Sequence, residues 1–267
     1  LSISILSTIL ALGVENLETL AIGSRAPDFD LPGVDGKNHK LAEYTKDILA
    51  IIFTCNHCPT AQAYEGRIIQ AVKDYAEKSV DFVAISPNSA AGLRLNEQGF
   101  SIVGDTLEDM KIHAEFYGFN FPYLYDGDSQ EASRAYGVIA TPHVYLFDKE
   151  RKLRYHGRLD DDEKGDNIKS HDMRDGIDAL LAGNEIPNKE TRVFGCSTKW
   201  ASKSGSNDWA KKKWAAQPVS LEKVDAAAVK ALAENKTDKL RMINVWATWC
   251  GPWVSEFKDL VDLSKIF

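Results

Sequence analysis

The residues best suited to chemistry are Cys55 and Cys58, set two residues apart in the run Phe53-Thr54-Cys55-Asn56-His57-Cys58-Pro59. Disulfide exchange needs a thiolate that attacks and a second thiol near enough to resolve the mixed disulfide. Two intervening residues at the start of a helix meet both needs. The unpaired N–H groups and dipole of the helix favour an anion on the first sulfur, and the second lies one turn on, within bonding reach. Cys55 is therefore read as the nucleophile and Cys58 as the resolving thiol. His57 adds an imidazole which, when protonated, stabilises the Cys55 thiolate and makes the disulfide more oxidising. The rival use of such a pair is half of a zinc site, which needs two more ligands. Cys196, Cys250 and the scattered His39, His113, His143, His156 and His171 form no second knuckle. No metal and no cofactor are expected, because the Cys55–Cys58 disulfide is itself the redox group.

The elements around the pair suit that chemistry. Ile48 to Phe53 is a continuous apolar run, as in a central parallel strand covered on both faces. Ile68, Ile69, Val72, Tyr75 and Ala76 repeat at helical spacing after Pro59, and Val80 to Ser86 is the next strand. This β-α-β unit sets the cysteines at the edge of the sheet where open α/β folds bind ligands. Upstream, Ala26 to Gly33 and Asn38 to Leu41 read as a hairpin around Val34-Asp35-Gly36-Lys37. Downstream come a helix over Thr106 to Tyr117, a strand at Tyr123 to Tyr125 and a helix over Ser129 to Tyr136. An antiparallel pair (His143 to Asp148, Lys152 to Arg158) and a closing helix over Met173 to Ala182 follow. Asp160 to Asp166 is an acidic loop read as solvated surface. Thr141-Pro142 just precedes the pair of strands. An X-Pro bond adopts cis at modest cost, and there it turns the backbone towards the cysteines. Thr141, Pro142 and Asn56 then form the edge that binds an extended substrate peptide.

These residues together resemble the thioredoxin superfamily. Ala26-Pro27-Asp28-Phe29-Asp30-Leu31, the motif around Cys55, and Phe194-Gly195-Cys196-Ser197-Thr198-Lys199-Trp200 resemble its peroxiredoxin-like redoxin (AhpC/TSA) branch. The resemblance implies an α/β thioredoxin-like fold: a central mixed sheet flanked by helices, with an N-terminal hairpin and a helix-bearing insertion. It departs from the family in two places. Peroxiredoxins carry Pro and Thr seven and three residues before their reactive Cys, where this chain has Ile48 and Ile52. Thioredoxins carry a buried Asp six residues before the first Cys, where this chain has Leu49, so the proton acceptor is His57, water or a group the sequence does not reveal.

Residues 199–217, rich in lysine with Trp200, Trp209 and Trp214, read as a linker whose tryptophans pack on a domain. Residues 218–267 read as an incomplete second thioredoxin-like segment: a helix over Asp225 to Asn235, a strand over Leu240 to Trp246, and the start of a helix from Val254. Its Asn244-Val-Trp-Ala-Thr-Trp-Cys-Gly-Pro-Trp253 resembles the active-site strand of extracytoplasmic thiol-disulfide reductases, with Glu256 matching their acidic residue. Trp253 replaces the second Cys, so Cys250 is a half-motif. Cys196 is either a buried small residue or a third thiol that shuttles with the pair.

The 267 residues are 44% hydrophobic and 27% charged with a net charge of -7, which fits a globular fold and gives no basic footprint for nucleic acid. The apolar run Leu1 to Gly13 is shorter than the roughly 20 residues of a membrane span. With Ala11-Leu12-Gly13 it reads as the remnant of a secretory signal within residues 1–20, placing the redoxin domain, 21–198, outside the cytoplasm; without a signal it is cytoplasmic. Expected partners are protein disulfides or dithiols and a thiol electron donor or acceptor. Two other functions stay open: a thiol peroxidase, and a redox-inert module that binds peptides along Thr141-Pro142.

Overall fold

The computed structural model describes residues 17–94, 97, 101, 103–218, 223–245 and 260–261. The chain divides into a first unit ending at Ser204 and a second beginning at Gly205.

The first unit is built around a five-stranded mixed sheet in the order β5-β4-β3-β7-β8. Its strands are β3 (Ile48–Phe53), β4 (Val80–Ser86), β5 (Tyr123–Tyr125), β7 (His143–Phe147) and β8 (Leu153–Gly157). β3 pairs parallel with β4 and antiparallel with β7, which makes it the middle strand. Every residue of β3 is buried, because helices and loops cover both faces. Ile48, Ala50 and Ile52 pack with Tyr64, Ile68 and Ala71 of helix α1 (Pro59–Asp74) and with Ile177 of α4 (Asp172–Leu181). Leu49, Ile51 and Phe53 face the other way, onto Phe29, Leu31 and Tyr136. Burying each large apolar side chain contributes about 1.5–3 kcal/mol, so an acid at position 49 would sit unpaired in an apolar layer.

The hairpin of β1 (Asp30–Pro32) and β2 (Asn38–Lys40) precedes the sheet. Helix α2 (Leu107–Tyr117) stands between β4 and β5 as the helix-bearing insertion, and α3 (Glu131–Tyr136) follows β5. α2 starts at a capping box in which Thr106 and Asp109 satisfy each other's backbone N–H groups, the standard remedy for unpaired donors at a helix start. A small two-stranded ladder joins β6 (Ala140–Thr141) to β9 (Cys196–Ser197). The thioredoxin-like fold class is thus the observed one. One expectation fails: the acidic loop is not all solvated. Asp160 is buried, and Arg67 grips its two oxygens at 2.7 and 2.6 Å.

His143 on β7 gives the fold an acid limit. Burial, with the positive field of His156 second, pushes its pKa down from 6.5 to about 3. The folded state refuses a proton that the unfolded chain accepts. The stability this gives is complete above pH 6.5 and is lost as pH falls towards about 3, at about 1.4 kcal/mol per pH unit for one proton. Unfolding measured across that window is expected to show this slope in the wild type and a flatter one in His143→Phe; equal slopes would refute the assignment.

Residues 199–204 lie within the first unit rather than in a linker. Lys199 is buried, and its ammonium meets Glu97 at 2.6 Å. The Arg134 guanidinium lies 4.8 Å from the ring centre of Trp200. In the second unit, α5 (Gly205–Ala215) and α6 (Ala226–Ala233) are helices. Asp225 caps α6 by accepting from Ala228 N–H at 2.8 Å. Trp209 is exposed. No strand forms over 240–245, where Leu240, Met242 and Val245 are exposed; an apolar run becomes a strand only when a neighbour pairs with it. The apolar run at residues 1–13, Cys250, Trp253 and Glu256 lie outside the described residues. Among the described residues, no helix is long and apolar enough to cross a membrane.

Candidate active site

β3 delivers the cysteines by ending at Phe53, and α1 begins at Pro59. Proline is favoured at the first helical position, where its missing N–H is no loss. That choice makes Cys58 the N-cap residue of α1 and leaves Cys55 three residues short of the helix. The surroundings of the two sulfurs differ accordingly. The Cys58 thiol is pulled far below its ordinary value by hydrogen bonds from the Cys196 and Cys55 thiols, and then from the Ala61 and Cys196 N–H groups, against the opposing effect of burial. Cys55 is pushed up by burial first, then by its bond to Cys58 and the negative charge of Asp105; only the Thr141 hydroxyl works the other way.

Thr141 and Pro142 close the site. Their peptide bond is cis. Thr141 Oγ1 lies 3.0 Å from Cys55 Sγ, and its carbonyl oxygen lies 3.4 Å from Cys58 Sγ. The backbone of Thr141 is not open to a peptide, however. β9 already pairs with it, placing Cys196 opposite Thr141, and Cys196 N–H donates to Cys58 Sγ at 3.3 Å. The approach is close because residue 195 is glycine. Its φ is +142°, and a Cβ there would stand 2.0 Å from the Thr141 oxygen. Gly195→Ala is expected to cost at least about 2 kcal/mol in unfolding free energy and to speed alkylation of the cysteines; wild-type values for both would show that β9 is not held this way.

His57 lies beside Cys55, its ring nitrogen within 4.8 Å of the sulfur. It is buried, with Nδ1 2.6 Å from Asp105 Oδ2. Asp105 Oδ1 accepts from the N–H groups of Asn56 and His57 at 3.0 and 3.1 Å, and Oδ2 also accepts from Asn88 at 2.9 Å. Asn56 is likewise inside the wall: its side chain donates to Gly104 O at 2.8 Å and accepts from the Tyr123 hydroxyl at 3.1 Å. It braces the loop and is buried away from any peptide. The Asn88 side-chain oxygen in turn accepts from Lys199 N–H at 2.9 Å, tying the segment after β9 to the Asp105 network.

Asp105, Asn88 and Tyr123 went unnoticed in the sequence. Asp105 stands just before the capping residue Thr106 and reads locally as part of a helix start. Cys55, His57 and Asp105 offer sulfur, nitrogen and oxygen atoms all within 4.8 Å of one another, a set able to hold a metal ion. Both Asp105 oxygens and His57 Nδ1 are already engaged, and His57 Nε2 is buried without a partner.

Residues 22–156 match the AhpC/TSA family, half of the chain. The chain belongs to the AhpC/TSA family. The thiol-disulfide oxidoreductase ResA of Geobacillus thermodenitrificans is 26% identical over 135 residues, 51% of this chain and 68% of that protein. Two crystal structures are similar over more of the chain. A hypothetical protein from Sinorhizobium meliloti is 34% identical over 68% of this chain and 96% of its own, with a TM-score of 0.61. An uncharacterized conserved protein from Geobacillus kaustophilus is 38% identical over 67% and 92%, with a TM-score of 0.60. At this level the AhpC/TSA chain is a redox enzyme of the thiol-disulfide class.

Proposed function

We propose that this AhpC/TSA protein exchanges disulfides with protein substrates through Cys55 and Cys58. The observation that carries the reading is geometric: two cysteines at the start of α1 both meet Thr141 of the cis Thr141-Pro142 peptide, Cys55 Sγ at 3.0 Å from its hydroxyl and Cys58 Sγ at 3.4 Å from its carbonyl oxygen. A dithiol of that kind has its nucleophile prepared and its resolving proton donor in contact. Oxidation joins the two sulfurs and passes two electrons and the Cys55 proton to a partner disulfide, whose sulfurs leave as one thiol and one thiolate. Ile48 and Ile52, standing where a peroxide-reducing site needs Pro and Thr, argue against direct peroxidase chemistry. A thiol donor or acceptor completes the cycle, and the apolar N-terminal run favours an extracytoplasmic setting, which fractionation of the expressing cell tests.

The test is a titration of Cys55/Cys58 in glutathione or dithiothreitol buffers, together with reduction of insulin disulfides. A midpoint near about −270 mV makes the protein a reductase, and one near about −120 mV an oxidant of client thiols. No reversible two-electron couple, or insulin reduction unchanged in the Cys55→Ala, Cys58→Ala double variant, would overturn the reading.

A further inference from the structure

The two sulfurs that carry the proposed exchange are closed off. Cys55 is 1% exposed and Cys58 0%, so a folded client cannot bring a sulfur in line with either one. The third sulfur differs. Cys196 is partly exposed, packs against the cluster of Cys55, Cys58 and Ala61, and donates its N–H to Cys58 Sγ at 3.3 Å. Cys58 thus has one sulfur partner inside, Cys55, and one at the surface, Cys196.

The backbone explains why the outer sulfur is there. β9 runs antiparallel to β6 along the edge beside the cis peptide, in the register that puts Cys196 opposite Thr141. That is how an extended substrate strand would lie with its cysteine against the active pair: backbone bonds fix the register, and one side chain is presented to the site. The chain fills its own groove with a strand carrying a cysteine. Gly195, tight against the Thr141 oxygen, and the bond from Lys199 N–H to Asn88 hold the strand on both sides of that cysteine.

We propose that Cys196 is the relay thiol of this enzyme, passing disulfides between client proteins at the surface and the buried Cys55–Cys58 pair through a Cys58–Cys196 disulfide. The inference rests on the exchange function proposed above. In the oxidised protein, Cys196 sulfur attacks Cys58 Sγ. The Cys58–Cys196 bond forms, the Cys55–Cys58 bond breaks, and Cys55 leaves with the electron pair and takes up the proton that Cys196 lost. No net oxidation occurs in that step. A client dithiol then attacks the exposed Cys196 Sγ and Cys58 leaves as the thiolate its surroundings favour. The second client thiol attacks the client sulfur of the mixed disulfide, releasing Cys196 and an oxidised client. Two electrons have moved from client to enzyme, and the same steps reversed reduce a client disulfide.

Three measurements on the full chain test this. Reduced wild type given limiting iodoacetamide at alkaline pH is expected to be labelled first at Cys196, by at least about tenfold over the other two described thiols, because access sets the order: Cys55 and Cys58 are closed off, whereas Cys196 is partly exposed although the Cys58 sulfur pushes its thiol up. Cys55→Ser oxidised with one equivalent of diamide is expected to yield a Cys58–Cys196 disulfide in most molecules after acid quench and peptide mapping. Cys196→Ser is expected to reduce insulin at least about tenfold more slowly than wild type, with dithiothreitol as electron source in both. Preferential labelling of Cys55 or Cys58, free thiols in oxidised Cys55→Ser, or wild-type insulin reduction by Cys196→Ser would each overturn the relay while leaving the exchange function standing. A wild type that never reduces insulin and has no two-electron couple would remove both. The labelling experiment needs no variant, so it decides even if a substitution unfolds the chain.

Discussion

Cys58→Ser is expected to lower protein-disulfide exchange by on the order of a thousandfold or more, the scale of losing a nucleophile whose partners act with it as a unit. Three separate roles fail at once. Cys58 is the sulfur lowered by the Cys196 and Cys55 thiols, so the prepared anion goes. It is one half of the buried disulfide, so the couple goes. It also lies between Cys55 and Cys196, so no sulfur remains to join the inside to the surface. The same variant reports on charge. Reduced wild type is expected to keep the ultraviolet absorbance of one thiolate well below the ordinary thiol value of 9.0, and Cys58→Ser is expected to lose it. Because the folded value is depressed, the stability gained from this anion is complete above pH 9.0 and declines as pH falls below it. Thiolate absorbance that stays in Cys58→Ser and disappears in Cys55→Ser would place the anion on the other sulfur.

Where the sequence was read correctly, local patterns and tertiary structure agree. The unbroken apolar run of β3 has one stable solution, the middle of a sheet covered on both faces. The helical spacing after Pro59 and the alternating strands after Pro142 are equally local. The helix start is local too: proline at the first helical position makes the preceding residue, Cys58, the N-cap. The strand over 240–245 fails for the opposite reason. Its apolar pattern is right, but a strand is a pairing, and a pattern cannot supply the partner.

The occupied groove and the carboxylate beside Cys55 were harder to see because nothing near them in sequence announces them. Gly195-Cys196 gains its meaning only when β9 is laid on Thr141, across a separation that periodicity cannot bridge. Lys199 and Asp160 look like surface charges in sequence and are buried in the fold because single distant partners, Glu97 and Arg67, receive them. Long-range pairing decides all of these.

Asp105→Ala is expected to destabilise the protein by about 3–5 kcal/mol, the scale of breaking a buried hydrogen-bond network. The carboxylate holds the N–H groups of Asn56 and His57, the His57 ring and the Asn88 amide. Alanine leaves those donors buried without an acceptor, each with a desolvation penalty of about 1–3 kcal/mol before relaxation. Asp105→Asn keeps the volume and part of the bonding, so its loss is expected to be smaller, and it isolates the charge. The negative field of Asp105 raises Cys55; that opposes its thiolate and favours the disulfide over the dithiol. With the field removed, the Cys55 thiol should ionise more easily and the midpoint potential should rise, by about 30 mV for each pKa unit recovered. A purely structural carboxylate would lower the unfolding free energy and leave the potential where it was. Measured together on Asp105→Asn, an unchanged midpoint beside a lowered stability would reduce Asp105 to scaffolding, whereas a more oxidising midpoint would make it the group that stands in for the acid missing at Leu49.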